Sequence, residues 1–280
     1  MHQLFNQVKK FLLDNKAEID KDQFFCIDEN ILNKMVEVAK INSTDCVLEI
    51  GPGLGFLTQK LSIKAKQVIA IEIDKKFKPY LNLPNNVEVI YGNAYELLNN
   101  KNFLNNTKAP TKTVSSIPYS QAQNMLHNYT NHTWYQGDLI WLAPKSLADK
   151  INKEPILGAY FNAEIVMDVP KTAFYPEPNT LSAIIHFHRL SDPFISGDFE
   201  IYLRRWFYNN EQFKVKNMLR EGIINVAKDL KQKIITKNEA RELIKTLNIP
   251  NIELEKLTNN IRPEYYFDIP SKLKSWFDII

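Results

Sequence analysis

Cysteine is nearly missing: 280 residues hold only two, Cys26 and Cys46, with no metal-type spacing between them. A disulfide framework and a thiolate-built metal fold are thereby excluded. A reducing compartment is expected, the cytoplasm first and an organelle next. Both thiols are expected to act as small core residues. Long apolar runs are also absent, and nothing approaches the ~20 consecutive residues that a bilayer-spanning helix needs, so no membrane partner is expected. The first 22 residues, MHQLFNQVKKFLLDNKAEIDKD, flank a short apolar patch with charges and read as an amphipathic lead-in helix, not an export signal. No internal repeat is visible. Charge of one sign is not in large excess either: 35 Lys+Arg against 32 Asp+Glu leave +3, a modest balance for a protein that would bind phosphates.

What is present suffices for one large domain and a small one. At 44% hydrophobic residues, a chain of this length can bury a full core. Residues 1–190, after the lead-in of 1–22, alternate apolar runs with helical patterns, which predicts an α/β, doubly wound sheet. Strands are expected at 47–50, 67–73, 87–91, 113–116, 138–142, 161–169 and 182–189, the last two pairing antiparallel. Turn residues at 191–198 mark a boundary. Residues 191–280 read as a small helical C-terminal domain, with helices at 199–208, 213–228, 237–247 and 271–277. The Asn- and Lys-rich stretch 98–108 reads as an exposed loop.

The densest signal is VLEIGPGLG at residues 47–55, followed by VIAIEID, which places Glu72 twenty-one residues after Gly51. A buried parallel strand that breaks into Gly51-Pro52-Gly53-Leu54-Gly55 must turn sharply. Glycine removes the Cβ atoms that would hold a ligand away, and the helix that follows presents its free N–H groups. An acid at the tip of the next strand can accept hydrogen bonds from a ribose diol. A glycine-rich turn also occurs for packing alone, and ribose binding by itself does not separate NAD from S-adenosylmethionine. Two further strand ends bear on that choice. Gly92-Asn93-Ala94 offers a side-chain amide to the amino edge of an adenine ring. Ser116-Ile117-Pro118-Tyr119 offers a hydroxyl, a proline and an aromatic face to a flat exocyclic amine, whose hydrogens need acceptors during methylation. An ordinary strand-ending turn has the same residue types.

Taken together, VLEIGPGLGFLT, VIAIEID, VIYGNAYEL and SSIPY resemble, in order and spacing, the ribosomal-RNA adenine N6-dimethyltransferases. That family includes the small-subunit rRNA dimethylases, the macrolide-resistance methylases and the related mitochondrial transcription factor B. The resemblance continues through Gln23-Phe24-Phe25-Cys26-Ile27-Asp28, Phe174-Tyr175-Pro176-Glu177-Pro178 with Leu181 to Ile185, the stretch LRRWFYNNEQFKVKNML from Leu203, and Ile261-Arg262-Pro263-Glu264. It implies a Rossmann-like fold and a methyl group moved from S-adenosyl-L-methionine to N6 of adenosine, most often in small-subunit ribosomal RNA. It also implies roles. Gly51 and Gly53 would line the methionine end of the cofactor, Gln23 its amino-acid end, Glu72 its ribose and Asn93 its adenine. Ser116, Pro118 and Tyr119 would handle the target amine and ring, with Phe174 as a second aromatic wall.

The chain departs from the family pattern at four places. Ser116 stands for an Asn or Asp and reaches less far towards an amine; Asn93 stands for an Asp; Phe24 stands for an Asn or His; Pro144-Lys145-Ser146 stands for Gln-Lys-Glu. Serine at this position also occurs in cytosine N4 methylases, so amino-group methylation survives the change. Ribosomal RNA or a pre-ribosomal particle is the expected partner of a monomer, with Arg204, Arg205, Lys214, Lys216 and Arg220 as an RNA-contacting face around Trp206. A solvated helix face would show the same lysines. His186 and His188 alternate on a strand at a spacing that can bind metal, but no third ligand is visible and methyl transfer needs none, so no metal is expected. Two other readings stay open: a non-catalytic ribosome-assembly or mitochondrial-transcription factor on the same scaffold, and an amine methylase of another base or small molecule.

Overall fold

Apolar, β-branched runs at 46–50 and 67–72 can be covered on both faces only in the middle of a sheet, and that is where they lie. The computed structural model describes residues 2–15, 23–100, 109–130 and 137–280. It divides into two units, residues 1–152 with 162–189, and residues 153–161 with 190–280. The strands in chain order are β1 (Phe25–Cys26), β2 (Cys46–Ile50), β3 (Gln67–Glu72), β4 (Val87–Tyr91), β5 (Lys112–Ser116), β6 (Leu139–Pro144), β7 (Phe161–Val169), β8 (Phe174–Tyr175) and β9 (Ser182–Arg189). The seven runs expected from the sequence form one sheet of order β4-β3-β2-β5-β6-β9-β7. β2–β3, β3–β4, β2–β5 and β5–β6 are parallel and β6–β9 is antiparallel. Every residue of β2 is buried.

This order contains a topological switch. From β2 the chain winds outwards to β3 and β4, then returns to β5 on the other side of β2, so the connections leave a crevice outside the carboxyl ends of β2 and β5. The β2–β5 ladder pairs Val47 with Lys112 and Leu48 with Thr113. Further along, the Ile50 N–H donates to the Ser115 hydroxyl at 2.9 Å. A side chain thus takes over where the two strands part.

The helices of this unit are α1 (His2–Asn15), α2 (Glu29–Val38), α3 (Phe56–Lys64), α4 (Ala94–Asn99), α5 (Ala122–Thr130) and α6 (Ser146–Lys153). The lead-in helix is not a free arm. Val8 and Phe11 of α1 are buried with Ile27, Leu54 and Phe77, and Phe11 stacks on Phe77 at 4.8 Å between centroids. The strand pair β1–β8, Phe25 opposite Tyr175 and Cys26 opposite Phe174, is too short to leave a pattern in the sequence. Stretch 98–108 needs a correction at its start: Leu98 closes α4 and is buried, because its side chain completes the apolar face of that helix. Residues 101–108 lie outside the described residues.

The second unit is helical: α7 (Pro193–Ser196), α8 (Phe199–Asn209), α9 (Val215–Lys231), α10 (Lys237–Thr246), α11 (Asn251–Leu254) and α12 (Tyr265–Ile279). Its core gathers Tyr202, Leu203 and Phe207 of α8, Met218, Leu219 and Ile223 of α9, and Ile269, Leu273 and Phe277 of α12. A Cβ added at Gly222 would stand 2.8 Å from Trp206 Cδ1, so α9 accepts the indole only with glycine there. Helix α10 starts with a capping box of Thr236 and Glu239, which satisfies two otherwise orphaned N–H groups. The last helix begins six residues earlier than the expected 271, and Pro270 lies inside it. Proline normally stops a helix pattern, yet buried Tyr265, Tyr266 and Ile269 hold the turn before it in place.

Candidate active site

Three glycines after β2 adopt left-handed backbone, among them Gly51 at φ 71° and Gly53 at φ 54°. A side chain at either position would be strained. The requirement is one of backbone and not of space, because a Cβ on Gly53 would stand 3.5 Å from the Phe25 ring and one on Gly51 3.9 Å from Pro118, both ordinary contact distances. The turn folds back onto Glu72, whose carboxylate accepts from the Gly53 N–H at 3.0 Å and the Asp74 N–H at 2.9 Å. Glu72 is 4% exposed. Burial pushes its carboxyl above the usual range, while the N–H groups of Asp74 and Gly53 pull it back.

Beside these groups opens a crevice of about 590 Å³, within the usual range for a small-molecule site. Gln23, Gly51, Gly53, Glu72, Asn93, Ser116, Pro118 and Tyr119 all line it. Residues from five separate segments of the chain thus converge on one hollow at the switch point. Asn93 caps α4, its side-chain oxygen accepting from the Tyr95 N–H at 2.9 Å, and one lone pair remains for a ligand. Among the described residues the Ser116 hydroxyl has no hydrogen-bond partner at the end of β5. The Tyr119 hydroxyl bonds to the Ser182 hydroxyl of β9, which fixes the ring against the crevice wall. Burial raises the pKa of this hydroxyl above the usual phenol value, and the bond to Ser182 pulls it back only in part.

Phe174 is placed differently from expectation. It is 2% exposed, does not line the crevice, and packs in the core with Leu32 and Ile184. Its pairing opposite Cys26 in the β1–β8 ladder turns the ring inward. The second aromatic wall is Phe24, whose ring centroid lies 5.4 Å from that of Tyr119. The residue that replaces a polar group in the family pattern therefore narrows the crevice without closing it.

Arg204 and Arg205 are also corrected. The Arg204 guanidinium donates to the Pro155 carbonyl at 2.6 Å and stacks over Phe267. Arg205 donates to Ala159 and Leu190 carbonyls and stacks over Tyr160. Burial lowers both pKa values. These are internal ties, because a guanidinium that is planar and weakly hydrated suits carbonyl-rich pockets. Trp206 donates to the Met218 carbonyl at 3.0 Å and is no free aromatic insert. Lys214 and Lys216 remain exposed and share Glu255, and Arg220 pairs with Glu221.

One crevice residue went unread in the sequence. Glu49, the single acid in the apolar strand β2, is 1% exposed and lines the crevice, and its Oε2 has no hydrogen-bond partner among the described residues. Burial pushes its carboxyl up to about 8. An acid amid VLEI was a legible signal, since a buried carboxyl with an oxygen left unpaired costs too much to be filler.

A model of the ribosomal RNA adenine dimethylase family matches residues 14–270. The chain belongs to that family. As a ribosomal RNA adenine dimethylase it is an S-adenosylmethionine-dependent RNA methyltransferase. It is 30% identical over 273 residues to the ribosomal RNA small subunit methyltransferase A of Listeria welshimeri, covering 85% of this chain and 88% of that one. With the protein of the same name from Enterococcus faecalis it shares 33% over 190 residues, 62% of this chain and 64% of that one. Among solved structures, a dimethyladenosine transferase from Plasmodium falciparum superposes with a TM-score of 0.57 at 21% identity, covering 90% of this chain and 98% of the other. The 23S rRNA methyltransferase ErmE gives 0.53 at 18% identity, over 89% and 99%. At such identities these two show the fold, a Rossmann-like methyltransferase sheet followed by helices.

Proposed function

We propose that the crevice seats S-adenosylmethionine and that this dimethylase methylates N6 of an adenosine in small-subunit ribosomal RNA, acting as a monomer and with no metal in the methyl transfer. The observation that carries the reading is Glu49 Oε2, a buried carboxyl oxygen with no hydrogen-bond partner among the described residues, on a side chain that lines the same hollow as the glycine turn. A cationic ligand group satisfies it, and the cofactor carries two, an ammonium and a sulfonium. When bound, the cofactor supplies an electrophilic methyl group. Gly51 and Gly53 allow close approach of its methionine end, Gln23 meets the amino-acid end, Glu72 accepts from the ribose, and Asn93 accepts from the adenine amino group.

The target side of the crevice belongs to Ser116, Pro118, Tyr119 and Phe24. Tyr119, steadied by Ser182, stacks on a base that has left its helix, and the open Ser116 hydroxyl accepts a hydrogen of the amine. Lys214, Lys216 and Arg220, which keep solvent access, are the basic residues of the helical unit proposed to meet phosphates. Arg204 and Arg205 hold that unit together. The test is incubation of the purified chain with radiolabelled methyl donor and unmodified small ribosomal subunits, followed by nucleoside mapping. Label on N6 of adenosine is expected. Binding of the particle without label would overturn catalysis, and label on cytosine would overturn the base.

A further inference from the structure

Alternation along β9 puts His186 and His188 on one face of the sheet, their rings 3.7 Å apart between centroids. The β6–β9 register sets His186 opposite Ile140, so Asp138, just before β6, comes alongside both imidazoles. Asp138 Oδ2 lies 2.9 Å from His186 Nε2 and 3.4 Å from His188 Nδ1. The other oxygen, Oδ1, accepts from the Arg189 N–H at 2.9 Å. From the neighbouring strand β7, Glu164 Oε2 lies 2.8 Å from His188 Nε2. Among the described residues, Asp138, His186 and His188 are the one group of three or more His, Cys, Asp and Glu side chains whose ligand atoms come together, all within 4.8 Å.

We propose that Asp138 Oδ2, His186 Nε2 and His188 Nδ1 bind a divalent transition cation of the zinc class, with Glu164 orienting His188 and solvent completing a tetrahedron. Bond lengths of about 2.0–2.2 Å for zinc to nitrogen and carboxylate oxygen set ligand atoms roughly 3.3–3.5 Å apart. The Asp138–His188 separation already meets that spacing, and the Asp138–His186 one opens to it by a few tenths of an ångström. The arrangement around His188 is the stronger argument. Each of its ring nitrogens faces a carboxylate oxygen, but a neutral imidazole carries one N–H. With the proton given to Glu164, an unprotonated Nδ1 stands 3.4 Å from the negatively charged Asp138 Oδ2, an unfavourable approach of two electron-rich atoms. A cation between them turns that repulsion into two bonds. A carboxylate accepting from the far nitrogen of a ligating histidine is the usual outer support of such a site.

The donor set of two imidazoles and a carboxylate suits zinc over magnesium or calcium. Its place is the end of the sheet away from the crevice, since Asp138 precedes β6 whereas the crevice gathers the carboxyl ends of the parallel strands. The ion would clamp β6, β9 and β7, which are successive neighbours, and would take no part in methyl transfer. The third ligand stays hidden in the sequence, because 48 positions separate Asp138 from His186.

Isothermal titration of chelator-treated protein with zinc chloride tests the proposal, with metal content of the dialysed protein measured in parallel. One equivalent per chain is expected, lost in His188→Ala and weakened about 10–100-fold in Glu164→Gln. No zinc binding, or one-equivalent binding that both variants retain unchanged, overturns it; the first outcome means that a second proton on His188 holds the two carboxylates. If His188→Ala does not fold, the exposed Glu164→Gln decides alone.

Discussion

The crevice at the switch point and the helical unit treat charge in opposite ways. In the crevice a carboxylate oxygen of Glu49 is left without a hydrogen-bond partner among the described residues. In the helical unit Arg204 and Arg205 are spent on carbonyls of residues 155, 159 and 190. Lys214 and Lys216 converge on one glutamate. The crevice keeps a charged group for a ligand, whereas these basic side chains of the helical unit are met from within it. Counting basic residues does not reveal the difference, because the count is blind to what each one touches.

Experiments that confront the two regions differ in size. Ser116→Ala should have the largest effect, lowering kcat by roughly 10²–10³-fold through loss of an acceptor in the transition state while cofactor affinity in equilibrium dialysis stays unchanged. An unaltered kcat would mean that the crevice is not organised around the amine.

Glu49→Gln should weaken cofactor binding by about tenfold or more, as expected for losing a charge-assisted contact of ~1.5–3 kcal/mol. Glu49 also predicts a pH dependence. With its carboxyl raised from 4.5 to about 8 in the free protein, binding a cation requires release of a proton below that pH. Affinity should therefore rise with pH up to about 8 and then level off. Stability of the ligand-free chain should run the other way. Folding favours the protonated acid, so that stabilisation is full below pH 4.5 and lost as pH rises to about 8. Calorimetry and urea melts across pH 5–9 should show both slopes, and the glutamine variant should flatten both.

In the helical unit, Arg205→Ala should cost about 1–3 kcal/mol in urea denaturation by stranding buried carbonyls. The salt dependence of RNA binding should not change. A reduced salt slope with unchanged stability would return Arg205 to the RNA face. The smallest effect belongs to the double change Lys214→Ala and Lys216→Ala. Exposed ion pairs are worth ~0–1 kcal/mol, so the melting temperature should barely move. The slope of log affinity against log salt should fall by about 0.7–0.9 per lysine if both meet phosphates.

The sheet was legible because each strand run is apolar, short and bounded by turn residues, from Val47 through Arg189. The crevice was legible where a motif joins residue type to backbone need, as at Gly51, Gly53 and Glu72. It was not legible at Phe174, which a two-residue ladder turns inward, nor at Phe24, which takes over the aromatic wall. Pro270 hid the start of the last helix, since local propensity argues against the turn that tertiary burial of Tyr266 and Ile269 sustains.

Composition, strand periodicity and the glycine-acid spacing sufficed for the fold class and for a nucleoside-type cofactor, because those features act locally along the chain. Partners brought together across long separations were settled by three-dimensional packing alone. Tyr119 meets Ser182, Arg205 meets Ala159, and Asp138 meets His186. Whether a charge is spent inside the protein or kept for a ligand depends on which neighbour the fold delivers within about 3 Å, and no spacing along one strand or helix encodes that neighbour.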